Sequence, residues 1–225
     1  MMKSRSVHKS MISRFKDFEQ LFLELNTKLD SKINIYIIGG AVLLYRNLKP
    51  STKDIDLVVG TKKEFIHLQN TLVKLGFKTE NPSHDYRKLN LSQIFIREDL
   101  RIDLFETKVC SQFQLSKEMI QRVELILKLE KLNVYLCSNE DIFMFKTITE
   151  REGDLQDCIA LSKLGLNWKT ILREIKNQIK INNKDVWITW IEERLNLLED
   201  MGLQIPIIKE VRILSEKYYS KLEKN

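Results

Sequence analysis

Apolar side chains at Met11, Phe15, Phe18, Leu21, Phe22, Leu25 and Leu29 recur every three or four positions near the start of the chain. That spacing places them along one stripe and predicts an amphipathic helix over about residues 10–32. The pattern then changes. INIYII, residues 33–38, is an unbroken apolar run rich in β-branched residues and reads as a buried strand. Two adjacent glycines, Gly39 and Gly40, end it. AVLLYRNL follows as a short helix that Pro50 stops. DIDLVVG, residues 54–60, is a second strand, and KKEFIHLQNTLVKLG is a helix with Gly76 at its C-terminal end.

Asn81-Pro82 signals a turn. Strands are expected over residues 88–96 and 100–106, with Glu98-Asp99 as a tight turn between them. LSKEMIQRV reads as a short helix. ELILKLEKLNVYLC, residues 124–137, reads as a hairpin, although its first half also suits a helix. From Ser138 onward the pattern is helical, and Ser138 with Asp141 forms a Ser-x-x-acid helix start. Helices are expected over 139–150, 154–164, 167–180, 184–200 and 206–222, punctuated by Gly165 and Gly202, with Pro206 opening the last. The chain therefore divides into an α/β front part, residues 1–137, and an α-helical back part, residues 138–225.

Composition narrows the class. No run approaches the eighteen apolar residues of a membrane span, and the basic start lacks the apolar centre of a secretory signal. Cys110, Cys137 and Cys158 are scattered and form no CxxC pair, which suits reduced thiols in a cytoplasm better than disulfides or zinc. His8, His67 and His84 show no ligand spacing. The net charge of +6 favours an anionic partner such as nucleotide or RNA, although mixed charge also describes a solvated helical surface.

The chemistry lies in the acids and glycines of the front part. Alternate residues of a strand share a face, so Asp54 and Asp56 project together while Ile55 faces the core. In RIDLF, Ile102 and Leu104 can face inward and leave Asp103 on the other face. If the two strands are neighbours, three carboxylates converge. Two carboxylates about 4 Å apart repel by roughly 4 kcal/mol at an effective dielectric of 20, so the cluster must take up protons or a cation. Oxygen donors of this density suit Mg²⁺ or Mn²⁺, the ions of phosphoryl and nucleotidyl transfer. A strand ending in Gly-Gly and opening a helix offers backbone N–H groups to a phosphate. Taken singly, each feature has a plainer reading: a tight turn, a strand cap, an exposed strand residue.

In combination, IIGG, DIDL and RIDLF resemble the pattern of the polymerase β superfamily of nucleotidyltransferases. The resemblance implies an α+β fold, a nucleotidyltransferase-like mixed sheet flanked by helices and followed by an α-helical half. It implies that Asp54, Asp56 and Asp103 bind metal, with Asp103 also orienting or deprotonating the acceptor hydroxyl. Gly39 and Gly40 would contact the triphosphate. DIFMFKTITEREGDLQDCIAL further resembles the minimal, toxin-like (abortive-infection type) members, with matches at Lys146, Arg151, Asp154 and Asp157. There Lys146 and Arg151 would meet the nucleotide, and Asp157, ahead of Asp154, would orient Lys146 or the acceptor. Thr52 matches the threonine of the family's T-x-D-h-D segment, while Lys49 stands near where relatives carry an arginine, and a lysine cannot make a two-pronged phosphate contact. The implied activity is metal-dependent transfer of a nucleoside monophosphate from an NTP to a hydroxyl of RNA or tRNA, protein or a small molecule, releasing pyrophosphate. An antitoxin partner and a cytoplasmic setting go with it. The alternative is a non-catalytic nucleotide sensor or partner-binding member of a toxin–antitoxin-like pair.

Several side chains also have plain structural readings. Lys146 and Glu150 are spaced to pair along a helix. Asp154 is placed to favour a helix start, and Asp157 suits a surface. Trp187 and Trp190, three apart, suit a packed face better than a base-stacking platform, and Trp168 lies in the same half. Tyr86, Arg87 and Lys88 read as edge residues, and REIKNQIKINNK as a solvated helix end.

Overall fold

The computed structural model describes residues 11–80, 93–109, 113–182 and 186–223. The expectations at Asn81-Pro82, at Tyr86, Arg87 and Lys88, and at His8, His84 and Cys110 lie outside the described residues.

The front part holds helix α1 (Lys16–Lys28), strand β1 (Ile33–Ile38), helix α2 (Gly40–Tyr45), strand β2 (Ile55–Val59) and helix α3 (Lys62–Lys74). Strands β3 (Lys78–Glu80), β4 (Gln93–Arg97) and β5 (Leu100–Glu106) follow. A small hairpin comes next, β6 (Lys108–Val109) with β7 (Phe113–Gln114), then helix α4 (Lys117–Gln121). Strands β8 (Glu124–Lys128) and β9 (Leu132–Leu136) complete this part. Helices α5 (Asn139–Thr147), α6 (Glu152–Ser162), α7 (Trp168–Ile181), α8 (Trp187–Asp200) and α9 (Ile208–Leu222) form the helical half.

The sheet has seven strands in the order β3-β4-β5-β2-β1-β9-β8. Its centre mixes directions: β1 runs antiparallel to β2 and parallel to β9, while β2 runs parallel to β5. One face carries Ile33, Ile35, Ile37, Ile55, Leu57, Ile102 and Leu104, all buried. Helices α1 and α3 lie against this layer, and α1 buries Phe18, Leu21, Phe22 and Leu25. The opposite face carries the acids. Both faces are covered at the centre, which is why β1 is apolar along its whole length rather than alternating.

The elements start where local chemistry places them. Ser138 caps α5 by accepting from the Asp141 N–H at 3.2 Å, as the sequence motif predicts. Thr61 caps α3 through the Glu64 N–H at 3.2 Å, while Glu64 reaches back to its hydroxyl at 3.0 Å. Residues 124–137 form the hairpin, not the helix. Glu98, at φ +54°, makes the turn from β4 to β5.

Several expectations change: the second strand starts at Ile55 rather than Asp54, the helix opened by Ser138 ends at Thr147, and the β6–β7 hairpin is new. The first helix starts at Lys16, not near residue 10, because Ile12 exchanges two 2.8 Å backbone hydrogen bonds with Thr52. The short helix ends at Tyr45 rather than running to Leu48: Asn47 takes φ +57°, and the Leu48 N–H closes back on the Leu43 carbonyl at 2.9 Å. Strand β3 was not expected. Its three residues are all exposed, so they carry no hydrophobic alternation, and pairing with β4 alone makes them a strand.

Candidate active site

Strand register builds the acid cluster. Asp56 pairs with Ile38 on one side and with Asp103 on the other. Because β2 and β5 are parallel and in register there, the two carboxylates leave the same face from strands about 4.8 Å apart. Asp54 stands just ahead of β2, two residues before Asp56, and its charge acts on the Asp56 carboxyl.

The glycines make room for these acids. Gly39 has φ +69°, and a Cβ on it would lie 2.1 Å from Asp56 Oδ2. A Cβ on Gly40 would lie 2.8 Å from Thr52 Oγ1. The sequence reading assigns the side-chain-free space to an approaching phosphate. In the structure the immediate occupants are the Asp56 carboxylate and the Thr52 hydroxyl. Thr52 is itself fixed, since its hydroxyl donates to the Asp54 carbonyl at 3.2 Å and its backbone pairs with Ile12.

The three acids have unlike surroundings. Asp56 makes no hydrogen bond or ion pair among the described residues. Burial pushes its carboxyl well above the usual range, and Asp54 and Asp103 push it further; Arg151 and Lys146 pull the other way. Asp103 is held by Arg101, whose Nε donates to Oδ1 at 2.7 Å and whose second prong donates to Oδ2 at 2.8 Å. The Arg101 Nε also lies 3.9 Å from Asp54 Oδ2.

The helical half supplies the opposite wall. Lys146, on α5, points its ammonium at Asp154 and at Asp157, the latter at 2.8 Å. Burial alone would lower Lys146, but the two carboxylates outweigh it and raise it, so the ammonium stays charged. Burial would likewise raise Asp154, yet Lys146 and Arg151 hold it below the usual carboxylate range. Thr149 also donates to Asp154, and Arg151 Nε lies 3.5 Å from it. Lys49, arriving from the front part, donates to both Asp157 oxygens at 3.2 and 3.1 Å. Asp157 thus joins two lysines 97 positions apart in the chain, Lys49 and Lys146.

Between the walls lies a cavity of about 390 Å³, within the usual range for small-molecule sites. Gly39, Gly40, Thr52, Asp54, Asp56, Asp103, Lys146 and Arg151 line it, so eight of the predicted site residues share one cavity. Asp157 stands behind it and reaches it through Lys49 and Lys146. Asp154 holds Lys146 as closely as Asp157 does, although the resemblance puts Asp157 ahead. Lys146 turns to these two acids rather than to Glu150, which is exposed.

Sequence reasoning missed Arg101. Its signal was available: a basic residue two places before Asp103 on one strand must share its face. Phe105, Val109 and Phe145 form an apolar side of the cavity to which the sequence reading gave no role, and Met11 lines it because residues 11–15 are not helical. The tryptophans do not line it. Trp187 is fully buried edge-on against Phe113, Trp168 packs on Phe143, and Trp190 is exposed.

For a divalent cation, Asp54 and Asp56 offer the right donors: two hard oxygen groups, one of them unpartnered and crowded by negative charge. Asp103 fits less well, since both its oxygens already accept from Arg101. Among the described residues no three His, Cys, Asp or Glu side chains are arranged to hold a metal ion together.

A family model described as "Nucleotidyltransferase of unknown function (DUF6036)" matches residues 13–194. Among solved structures, that of ANT(2")-Ia in complex with adenylyl-2"-tobramycin is similar at a TM-score of 0.47 and 11% identity, over 69% of this chain and 91% of that one. A protein of H. pylori described as a candidate nucleotidyltransferase is similar at a TM-score of 0.41 and 15% identity, over 93% of this chain and 96% of that one. No curated protein sequence matches significantly.

Proposed function

The chain belongs to a family of nucleotidyltransferases whose function is not established, and from that premise we propose that it moves a nucleoside monophosphate from an NTP to a hydroxyl acceptor and releases pyrophosphate. The observation that carries this reading is the Asp56 carboxylate. It stands in register with Asp103 and against Gly39, and it faces a cavity whose far wall presents Lys146.

In this reading Asp54 and Asp56 hold Mg²⁺ or Mn²⁺. Bound there, such an ion supplies positive charge to the triphosphate and its leaving oxygens. Gly39 and Gly40 present backbone N–H groups to the phosphates, Thr52 fixes the loop beside them, and Lys146 and Arg151 face them as cations. The acceptor oxygen attacks the α-phosphorus, the bond to the bridging oxygen breaks, and pyrophosphate leaves. Asp103 orients the hydroxyl and takes its proton; a carboxylate has about four acceptor positions, so two contacts from Arg101 leave it that capacity. Asp154 and Asp157 keep Lys146 charged and aimed.

The acceptor belongs to RNA or tRNA, to a protein, or to a small molecule. A toxin-like role brings an antitoxin partner and a cytoplasmic setting. No helix among the described residues is long and apolar enough to cross a membrane.

Each of the four NTPs, labelled at the α-phosphate, is incubated with Mg²⁺ and either total RNA, total protein or a hydroxyl-compound mixture. Label should enter one of the three. Asp56→Ala should lower incorporation by at least about 10²–10³-fold, the loss typical of removing an electrostatic stabiliser. Labelling that survives Asp56→Ala would sink the assignment. Growth arrest on expression that depends on Asp56, relieved by a cognate antitoxin, is the matching check in cells.

A further inference from the structure

The β2–β5 register that joins Asp56 to Asp103 starts at Ile55 and Ile102. Just ahead of it, Asp54 stands before β2 and Arg101 lies on β5, with 3.9 Å between Asp54 Oδ2 and Arg101 Nε. Arg101 and Asp103 are also two apart on β5, so they share the site face. The sheet therefore forces one guanidinium into the acid cluster. It is no loose surface group: the Arg101 side chain is 7% exposed and that of Asp103 4%, and their contact is two-pronged at 2.7 and 2.8 Å. A guanidinium does not give up its proton in a protein.

This placement bears on how many cations the cluster takes. Three ionised carboxylates and one guanidinium leave two negative charges, which a single divalent ion balances. The cations of the opposite wall are already engaged there, Lys146 with Asp154 and Asp157 and Arg151 with Asp154. A pair of ions about 3.5–4 Å apart needs carboxylates that reach both. Here the carboxylate that a second ion would need already faces a fixed positive charge on both oxygens, so a further cation there would sit against the Arg101 guanidinium.

We propose that Arg101 stands in place of a second metal ion, so that the site takes one divalent cation, at Asp54 and Asp56, while Arg101 fixes the orientation of Asp103 toward the acceptor. Arg101 is a positioning residue on this account. The proposal rests on the nucleotidyl-transfer reading and deepens it.

Bound Mn²⁺ is counted by electron paramagnetic resonance on the full chain, with an α,β-methylene analogue of each NTP in turn. The wild-type chain binds one Mn²⁺. Arg101→Met releases Asp103 and raises the count to two, whereas Arg101→Lys keeps the charge and holds it at one. Asp103→Asn, which serves if Arg101→Met does not fold, leaves the affinity for the single ion within about threefold, because Asp103 is not a ligand. Two ions in the wild-type chain, or a tenfold weaker ion in Asp103→Asn, overturns the role of Arg101 and leaves the nucleotidyl-transfer reading intact. No Mn²⁺ bound by the wild-type chain with any analogue overturns that reading, and the role of Arg101 with it.

Discussion

At Gly39 the backbone takes φ +69° and ψ −148°, a region open in practice to glycine alone. The reason is local crowding: a Cβ there would collide with the Asp56 carboxylate at 2.1 Å. Gly39→Ala should therefore cost about 1–3 kcal/mol in backbone strain, read as a lower urea midpoint. It should also lower transfer activity, because Asp56 must move. Gly40→Ala meets only the Thr52 hydroxyl, with no positive φ, so its stability loss should be the smaller of the two. The reverse order would mean that Asp56 can turn aside freely and that Gly39 does not set its position. Lys49 makes a related point. As a mismatch to the family pattern it gave no role, yet its ammonium bonds Asp157 across 108 positions of sequence. A position defined only by departure from a pattern can still be built into the site.

At the scale of elements, the turn from α5 to α6 carries the cationic wall. Lys146 lies in the last turn of α5, and Asp154 and Asp157 lie on α6. The pH dependence of this junction follows from its shifts. Asp154 is held below its ordinary value in the folded chain, so its stabilisation is present above the unfolded value of about 3.9 and is lost as pH falls through the folded one. Lys146 is raised, so its stabilisation is present below the unfolded value of about 10.4 and is lost as pH rises through the folded one. Asp154→Asn should reduce stability near neutral pH by about 1.5–3 kcal/mol, the scale of a hydrogen bond to a charged group. That deficit should shrink below about pH 4, where the wild-type acid is itself becoming protonated. Denaturant titrations of both proteins at a series of pH values check this, and a deficit constant down to pH 2 contradicts it. A second junction is built from Arg122, just after α4, which pairs with Asp141 on α5 and Glu174 on α7. These two carboxylates are almost fully buried, so one guanidinium joins three helical elements.

For the whole molecule, the cavity draws one wall from the sheet and the other from the helical half, so a bound nucleotide should hold both together. A ligand at a hundred times its Kd adds about 2.7 kcal/mol to folding stability. For a chain of this length that corresponds to a rise of about 5–11 °C in Tm. The cognate NTP with Mg²⁺ should produce such a shift, and Asp54→Asn with Asp56→Asn should abolish it. A shift of equal size in the double variant would place nucleotide binding elsewhere. Much of this architecture was legible in the chain. The 3.6-residue and two-residue periods marked most helices and the central strands, and GG, DID and RID marked the acids. Those signals are local: a helix stripe, a strand run and a capping hydroxyl lie within a few residues of one another. What lay beyond reach depended on distant segments meeting. β5 beside β2 in parallel register, Ile12 paired to Thr52, and Lys49 with Lys146 on Asp157 are contacts across long stretches of chain. The sequence alone determined most of the helices, the central strands and which elements carry acids, because periodicity and side-chain chemistry are written locally. Only the tertiary structure decided that a guanidinium shares the acid cluster, because strand neighbours and register arise from the packing of the whole sheet.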